Sequence, residues 1–335
     1  MNKFAVCLGL IFAATNFLKA GSEGIPPVWE NNFENGELSD ICSQVSSGYA
    51  SIQDKSGVND SRALVLKKTG TKNVYATVKL KNIPVEANTC YTLSFDGKTS
   101  GGDTLKNNSQ MMIFFYDYAR GGKGKSLPGW SVTQYDAEGK KLPNPRSAFF
   151  RAIIHDDYFR YTDTFYTHRK AAFAEITFSN NGNYLNDVFI DNVKLEKRPD
   201  TKVLNINSDF SAGIYDYSGW QNVRKARIEA KENGKPMMVI DSKGGIFADP
   251  VPVEPGKKYK VTYKIAPSEK WAHCGLAFMD ADYHQTRTSK QFIRVAPEKA
   301  GTPEITFSPA EGEIYMFPFV MDGTVESVAV ERISE

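Results

Sequence analysis

The chain has 335 residues, 41% of them apolar, 24% charged and 12% aromatic, with 41 Lys and Arg against 39 Asp and Glu. That length exceeds what one hydrophobic core normally supports, so two domains are expected, and so much apolar material excludes a disordered chain. A formal net charge of +2 provides no field to hold nucleic acid or an anionic membrane surface.

In chain order, the first element is a leader. A single early Lys3, an apolar run from Phe4 to Phe17 and the small residues Ala20 and Gly21 predict a signal peptide over residues 1–20, too short to span a bilayer. Cys7 lies too early for a lipid attachment site. No later stretch reaches the ~18 uninterrupted apolar residues of a membrane span, so the mature product is expected to be exported: extracellular, periplasmic or at the cell surface. Export allows disulfides. Cys42 and Cys90 fall in one half, and both a bridge between them and two separate buried thiols remain open. Cys274 has no obvious mate. The absence of any Cys-x-x-Cys spacing and the presence of only four histidines provide no zinc signature.

Beyond the leader the chain repeats itself, and duplicated pattern marks duplicated structure. Asn31-Asn32-Phe33-Glu34-Asn35-Gly36 opens the first half and Asn207-Ser208-Asp209-Phe210-Ser211-Ala212-Gly213 the second. Next, Ile83-Pro84-Val85-Glu86 leads into Tyr91 to Phe95, as Val251-Pro252-Val253-Glu254 leads into Tyr259 to Tyr263. Val132 to Gly139 then matches Leu276 to Tyr283. Last, Glu175-Ile176-Thr177-Phe178 followed by Phe189 to Glu196 matches Glu304-Ile305-Thr306-Phe307 followed by Val325 to Glu331. Each segment is short, β-branched or aromatic, and alternates apolar with polar residues, the period of a strand with one buried face. Asn35-Gly36, Gly121-Gly122, Glu138-Gly139, Asn181-Gly182, Gly244-Gly245 and Asp322-Gly323 read as turns between them. The expected fold is all-β: two tandem β-sandwiches of jelly-roll type, over 29–198 and 203–335, joined near Arg198-Pro199-Asp200. The interval from Val85 to Asp136 is longer than that from Val253 to Asp280. The first half therefore carries the extra loops, where recognition usually resides.

On these residues the chain resembles the carbohydrate-binding modules of the four/nine type, in the galactose-binding-domain-like superfamily. Those modules open with Asn-x-x-Phe-Glu-x-Gly, matched by Asn31, Phe33, Glu34 and Gly36 allowing for one shorter step. They continue with Tyr-x-Leu-Ser-Phe, matched by Tyr91 to Phe95, and close with Ile-Asp-Asp-Val-x-Leu, matched by Ile190 to Leu195. The resemblance covers most of 29–198. The second half is a degenerate copy, with Ser211 in place of the acidic residue and Glu326 in place of Asp191. The resemblance implies a structural calcium ion in the first domain, with Glu34 and Asp191 offering two of its oxygens. The alternative is that both carboxylates cap turns.

Sugar sites combine exposed rings with planar polar groups. In the first domain these point to Trp130 and to the cluster His155, Asp157, Tyr158 and Tyr161; in the second they point to Trp271, while Trp220 reads as core. The expected function is non-catalytic binding of a polysaccharide or glycan, with separate carbohydrate-active enzymes as candidate partners. A lyase or glycosidase is the competing class, built from His155 or His168 with Tyr161 or Tyr166 and Arg151, Arg160 or Arg169. A third class is a cell-surface adhesion protein without sugar affinity.

Overall fold

The computed structural model describes residues 28–46, 48–71, 74–81, 83–100, 128–143, 151–153, 155–180, 186–211, 219–221, 226–230, 234–288 and 292–333. The leader at 1–20 and the long first-half segments 101–127 and 144–150 lie outside them. The described residues of the first half form β1 (Trp29–Asn31), β2 (Cys42–Val45), β3 (Ala50–Gln53), β4 (Ala63–Leu66), β5 (Ala76–Leu80) and β6 (Ile83–Pro84). They continue with β7 (Cys90–Thr99), β8 (Gly129–Tyr135), β9 (Arg151–Ala152), β10 (Phe159–Tyr166), β11 (Phe173–Asn180) and β12 (Val188–Lys197). Two antiparallel sheets result, in the orders β10-β7-β12-β4-β3 and β2-β5-β11-β8-β9, with β1 beside β12 and β6 beside β11.

Alternation places the core between these sheets. Tyr91, Leu93 and Phe95 of β7 and Val188, Ile190, Val193 and Leu195 of β12 pack against Val78, Ile176 and Phe178 of the other sheet. One step breaks the two-residue period. Ile190 and Val193 both face inward because the register against β7 slips between Asp191 and Lys194, with Asn192 at φ 49. The slip is a bulge, and it turns the Asp191 carboxylate out of the ladder into a buried position.

The second half forms β13 (Trp220–Gln221), β14 (Ala226–Ala230), β15 (Pro236–Ala248), β16 (Val251–Pro252) and β17 (Tyr259–Ala266), then β18 (Ala272–Met279), β19 (Gln285–Thr288), β20 (Ile293–Val295), β21 (Glu304–Phe307) and β22 (Tyr315–Arg332). All belong to one hydrogen-bonded sheet, because β15 and β22 each run through both layers. Their pairing breaks between Ile240 and Gly245, where Asp322 and Gly323 take φ 56 and 81 and bend β22. On one side of that bend the order is β14-β15-β22-β17-β21; on the other it is β13-β15-β22-β18, with β19 and β20 beyond β18. Strand for strand this is the order of the first half, so the duplication extends to topology.

Details of the two copies agree. Phe33 and Phe210 are both fully buried at positive φ, 58 and 59. The Glu86 N–H donates to Tyr91 Oη at 2.9 Å, and the Glu254 N–H donates to Tyr259 Oη at 3.0 Å. Two expectations need correction. Glu304–Phe307 is not the counterpart of Glu175–Phe178: β21 pairs with β17 at a sheet edge, the place β10 holds beside β7, whereas β11 corresponds to the first part of β22. A four-residue half-buried pattern suits any such strand, so it does not identify which one. Gly244-Gly245 and Asp322-Gly323 are bends within strands, not turns between them. Of the two alternatives left open for Cys42 and Cys90, the structure takes the separate thiols: they lie on opposite sheets and form no disulfide with each other.

Candidate functional site

At one end of the first sandwich the rings form a ladder from core to surface. Phe178 meets Phe95 edge-on at 5.0 Å, Phe95 stacks on Tyr161 at 5.3 Å, and Trp130 meets both at 4.8 and 5.4 Å. Tyr161 then touches Phe159 at 5.1 Å, and Phe159 stacks on His155 at 4.0 Å with 13° between the planes. The step from Phe95 to Tyr161 depends on Gly97, where an added Cβ would lie 3.1 Å from Phe95 and 3.2 Å from Tyr161. The last rung reaches solvent, with Phe159 38% exposed.

Hydrogen bonds fix the outer rung. The His155 N–H donates to Tyr161 Oη at 3.2 Å, that hydroxyl lies 2.9 Å from His155 Nδ1, and the Thr99 N–H donates to His155 O at 2.8 Å. Since the tyrosine oxygen already accepts from the backbone, its own proton suits Nδ1. Burial pulls the imidazole below its ordinary pKa, against the opposing pull of Asp156, which favours the neutral ring this arrangement requires. Asp156 and Asp157 are exposed beside it.

Of the side chains that the sequence singles out for ligand contact, Trp130, His155 and Tyr161 therefore meet. Their roles differ from the expectation. Trp130 is 4% exposed and Tyr161 7%, so neither offers a ring face, and Trp130 is corrected to a core residue. Its place on β8 turns it inward, into the core between the sheets. Its Nε1 meets no acceptor among the described residues. Tyr158, next in sequence but opposite in direction, donates to Ser56 O and lies under the Lys98 ammonium at 4.4 Å. Burial, Asp191 and Asp96 push its phenol far up. Trp271 is 49% exposed in the other sandwich, ahead of β18. Trp220 is core as expected, donating to Asn207 O at 3.0 Å. Phe159 lies inside the ring-rich segment 155–161 but is not among the side chains named for ligand contact; a further signal is that it shares a strand face with Tyr161.

Glu34 and Asp191 do converge on one loop. Asp191 Oδ2 accepts from the Val58 N–H at 2.9 Å and Ser61 Oγ at 2.8 Å, and Oδ1 accepts from the Asn192 N–H at 2.7 Å. Glu34 Oε1 accepts from the Arg62 N–H at 2.9 Å, while Arg62 Nη1 donates to Glu34 O at 3.0 Å and its Nε lies 3.0 Å from Asp54. Calcium takes about six to eight oxygens. Here the carboxylate oxygens face N–H and O–H donors, a guanidinium sits at the Glu34 carbonyl, and no three His, Cys, Asp or Glu side chains gather among the described residues. As arranged, these residues do not fit a calcium cage; hydrogen bonds tie the opening segment to the closing strand. In the second copy Glu326 pairs with Lys264 at 2.8 Å instead.

Of the residues proposed for an enzyme, His155 and Tyr161 meet through a hydrogen bond, while Arg160 and His168 are turned elsewhere. Arg160 is held outward by Ser94, Asn192 and Asp96, and His168 is buried against the second sandwich. A polar network that the sequence did not flag lies on the outer face of the β11 sheet. There Glu175 accepts from Tyr135 Oη at 3.2 Å and Ser43 Oγ at 3.4 Å, beside Lys79 at 3.6 Å.

No protein-family model and no curated protein matches the chain. Among solved structures, it is similar to the N-terminal tandem of two CBM22 domains of Paenibacillus barcinonensis Xyn10C, at 10% identity and a TM-score of 0.35, covering 92% of this chain and 98% of that one. It is also similar to a family 16 carbohydrate-binding module, at 17% identity and a TM-score of 0.31 over 49% of this chain and 99% of that one. A third is the N-terminal cellulose-binding domain of Cellulomonas fimi β-1,4-glucanase C, at 15% identity and a TM-score of 0.33 over 52% and 99%.

Proposed function

We propose that the chain is an exported, non-catalytic carbohydrate-binding protein whose first sandwich takes a sugar ring against the Phe159 and His155 pair. The observation that carries this reading is a solvent-reaching aromatic ring whose orientation is fixed by a parallel imidazole at 4.0 Å. A sugar's flat C–H face packs on such a ring, and ordering two already packed rings loses little side-chain entropy. Asp156 and Asp157 supply acceptors for hydroxyl groups at its margin.

Affinity electrophoresis in soluble xylan, β-glucan and substituted cellulose, backed by a glycan array, tests the reading. Retardation of the wild-type chain in at least one glycan is expected. Phe159→Ala should weaken that binding about tenfold, the equivalent of ~1.4 kcal/mol. An unretarded wild type on gel and array, or an unchanged Phe159→Ala variant, refutes the proposal. A falling chain length of the glycan during incubation favours an enzyme instead.

A further inference from the structure

The loop between β10 and β11 enters the second sandwich. Tyr166 Oη donates to Leu204 O at 2.6 Å and the Arg169 N–H donates to Tyr315 Oη at 2.9 Å. Between them His168, with no exposed surface, lies 5.4 Å from the Tyr283 ring and 6.3 Å from that of Tyr315. Its own N–H donates to Gln134 Oε1 at 2.6 Å, which anchors it to β8 of the first sandwich.

The two ring nitrogens face groups of opposite kind. The Lys170 N–H donates to Nδ1 at 3.1 Å, while Nε2 lies 2.7 Å from the carbonyl oxygen of Ala281, across the junction. A backbone N–H can only donate and a carbonyl can only accept, so both contacts are satisfied by one species alone, the neutral imidazole with its proton on Nε2. We propose that His168 is a proton-sensitive latch between the two sandwiches: the neutral ring joins them, and a second proton, placed on Nδ1 against the Lys170 N–H, parts them. The charged groups facing it are Arg169 and Lys170 on its own loop and Asp282 on the second-sandwich turn, with the phenols of Tyr283 and Tyr315 alongside.

Burial lowers the imidazole pKa, and the lysine and arginine add to that, outweighing the Ala281 bond and Asp282. The joined form therefore binds fewer protons than the parted form. Its stability is full above the ordinary imidazole pKa and declines as pH falls through that value toward the lowered one.

Small-angle X-ray scattering of the full chain from about pH 8 to about pH 4.5 reads the latch. The wild type should pass reversibly from a compact to a more extended particle, with the midpoint below the ordinary imidazole range. His168→Gln, whose amide donates to Ala281 O without titrating, should stay compact over the same range, with circular dichroism confirming its fold. Long-range 1H–15N spectra of the wild type at the upper pH should show the Nε2–H tautomer for His168. A wild type of constant size, a glutamine variant that expands in step with it, or an Nδ1–H tautomer overturns the proposal.

Discussion

Replacing Trp130 and Phe159 separates a core ring from a surface ring in one ladder. Trp130 is 4% exposed and packs against Phe95 and Tyr161; truncating such a side chain to alanine removes its transfer energy and leaves a cavity, about 3–5 kcal/mol in all. For a unit of this size each kcal/mol shifts the midpoint by roughly 2–4 °C, so Trp130→Ala should lower the melting temperature of the first sandwich by about 6–20 °C. Trp130→Phe keeps most of the ring and removes a buried N–H without an acceptor among the described residues. Relief of that N–H, about 1–3 kcal/mol, offsets the lost volume, and a change within about 1 kcal/mol is expected. Phe159→Ala, at 38% exposure, should also cost about 1 kcal/mol or less. Calorimetry of the three variants, followed by glycan binding below their midpoints, checks the reasoning. A change under 1 kcal/mol for Trp130→Ala would refute the placement of that ring.

Gly275→Ala places a Cβ 2.5 Å from Phe319 Cζ and 3.0 Å from its Cε2; overpacking of this kind should cost about 1–3 kcal/mol, and an unchanged melting curve would contradict the geometry. Tyr91→Phe and Tyr259→Phe each strand the same backbone donor of their copy, Glu86 or Glu254, so thermal melts should show two similar losses of about 1 kcal/mol. Asp191→Asn should destabilise the first sandwich by about 1–3 kcal/mol, while calcium or EDTA should leave the wild-type melting temperature within about 1 °C; a rise with calcium, by mass action, would establish a bound ion. Burial pushes the Cys42 thiol up to about 11 and the Cys274 thiol up to about 12. Neither should react with a thiol reagent in the native chain near pH 8, and both should react in denaturant; rapid native labelling of Cys274 would show that β18 opens.

Local pattern was enough to establish the class of the fold. Alternating segments such as Tyr91 to Phe95 and Tyr259 to Tyr263 form strands because a two-residue period buries one face, and the repeated Glu-to-Tyr spacing before them recurs as the same hydrogen bond in both copies. Which strand a segment becomes is a matter of neighbours. Glu175 to Phe178 and Glu304 to Phe307 share a pattern yet hold different places, since pairing with β8 or with β17 is settled by contacts distant in sequence. The candidate site divides for a related reason. Tyr158 and Phe159 are adjacent, but Tyr158 lies just ahead of β10 and turns to Ser56 O, whereas Phe159 opens the strand and joins the aromatic ladder, and the face of Trp130 depends on its register with β11. The sequence by itself determined two alternating, duplicated sandwiches with their opening and closing motifs. The tertiary structure alone decided which rings reach water, how Asp191 is satisfied and where His168 binds, because each depends on register, bulges and packing between segments that no local period encodes.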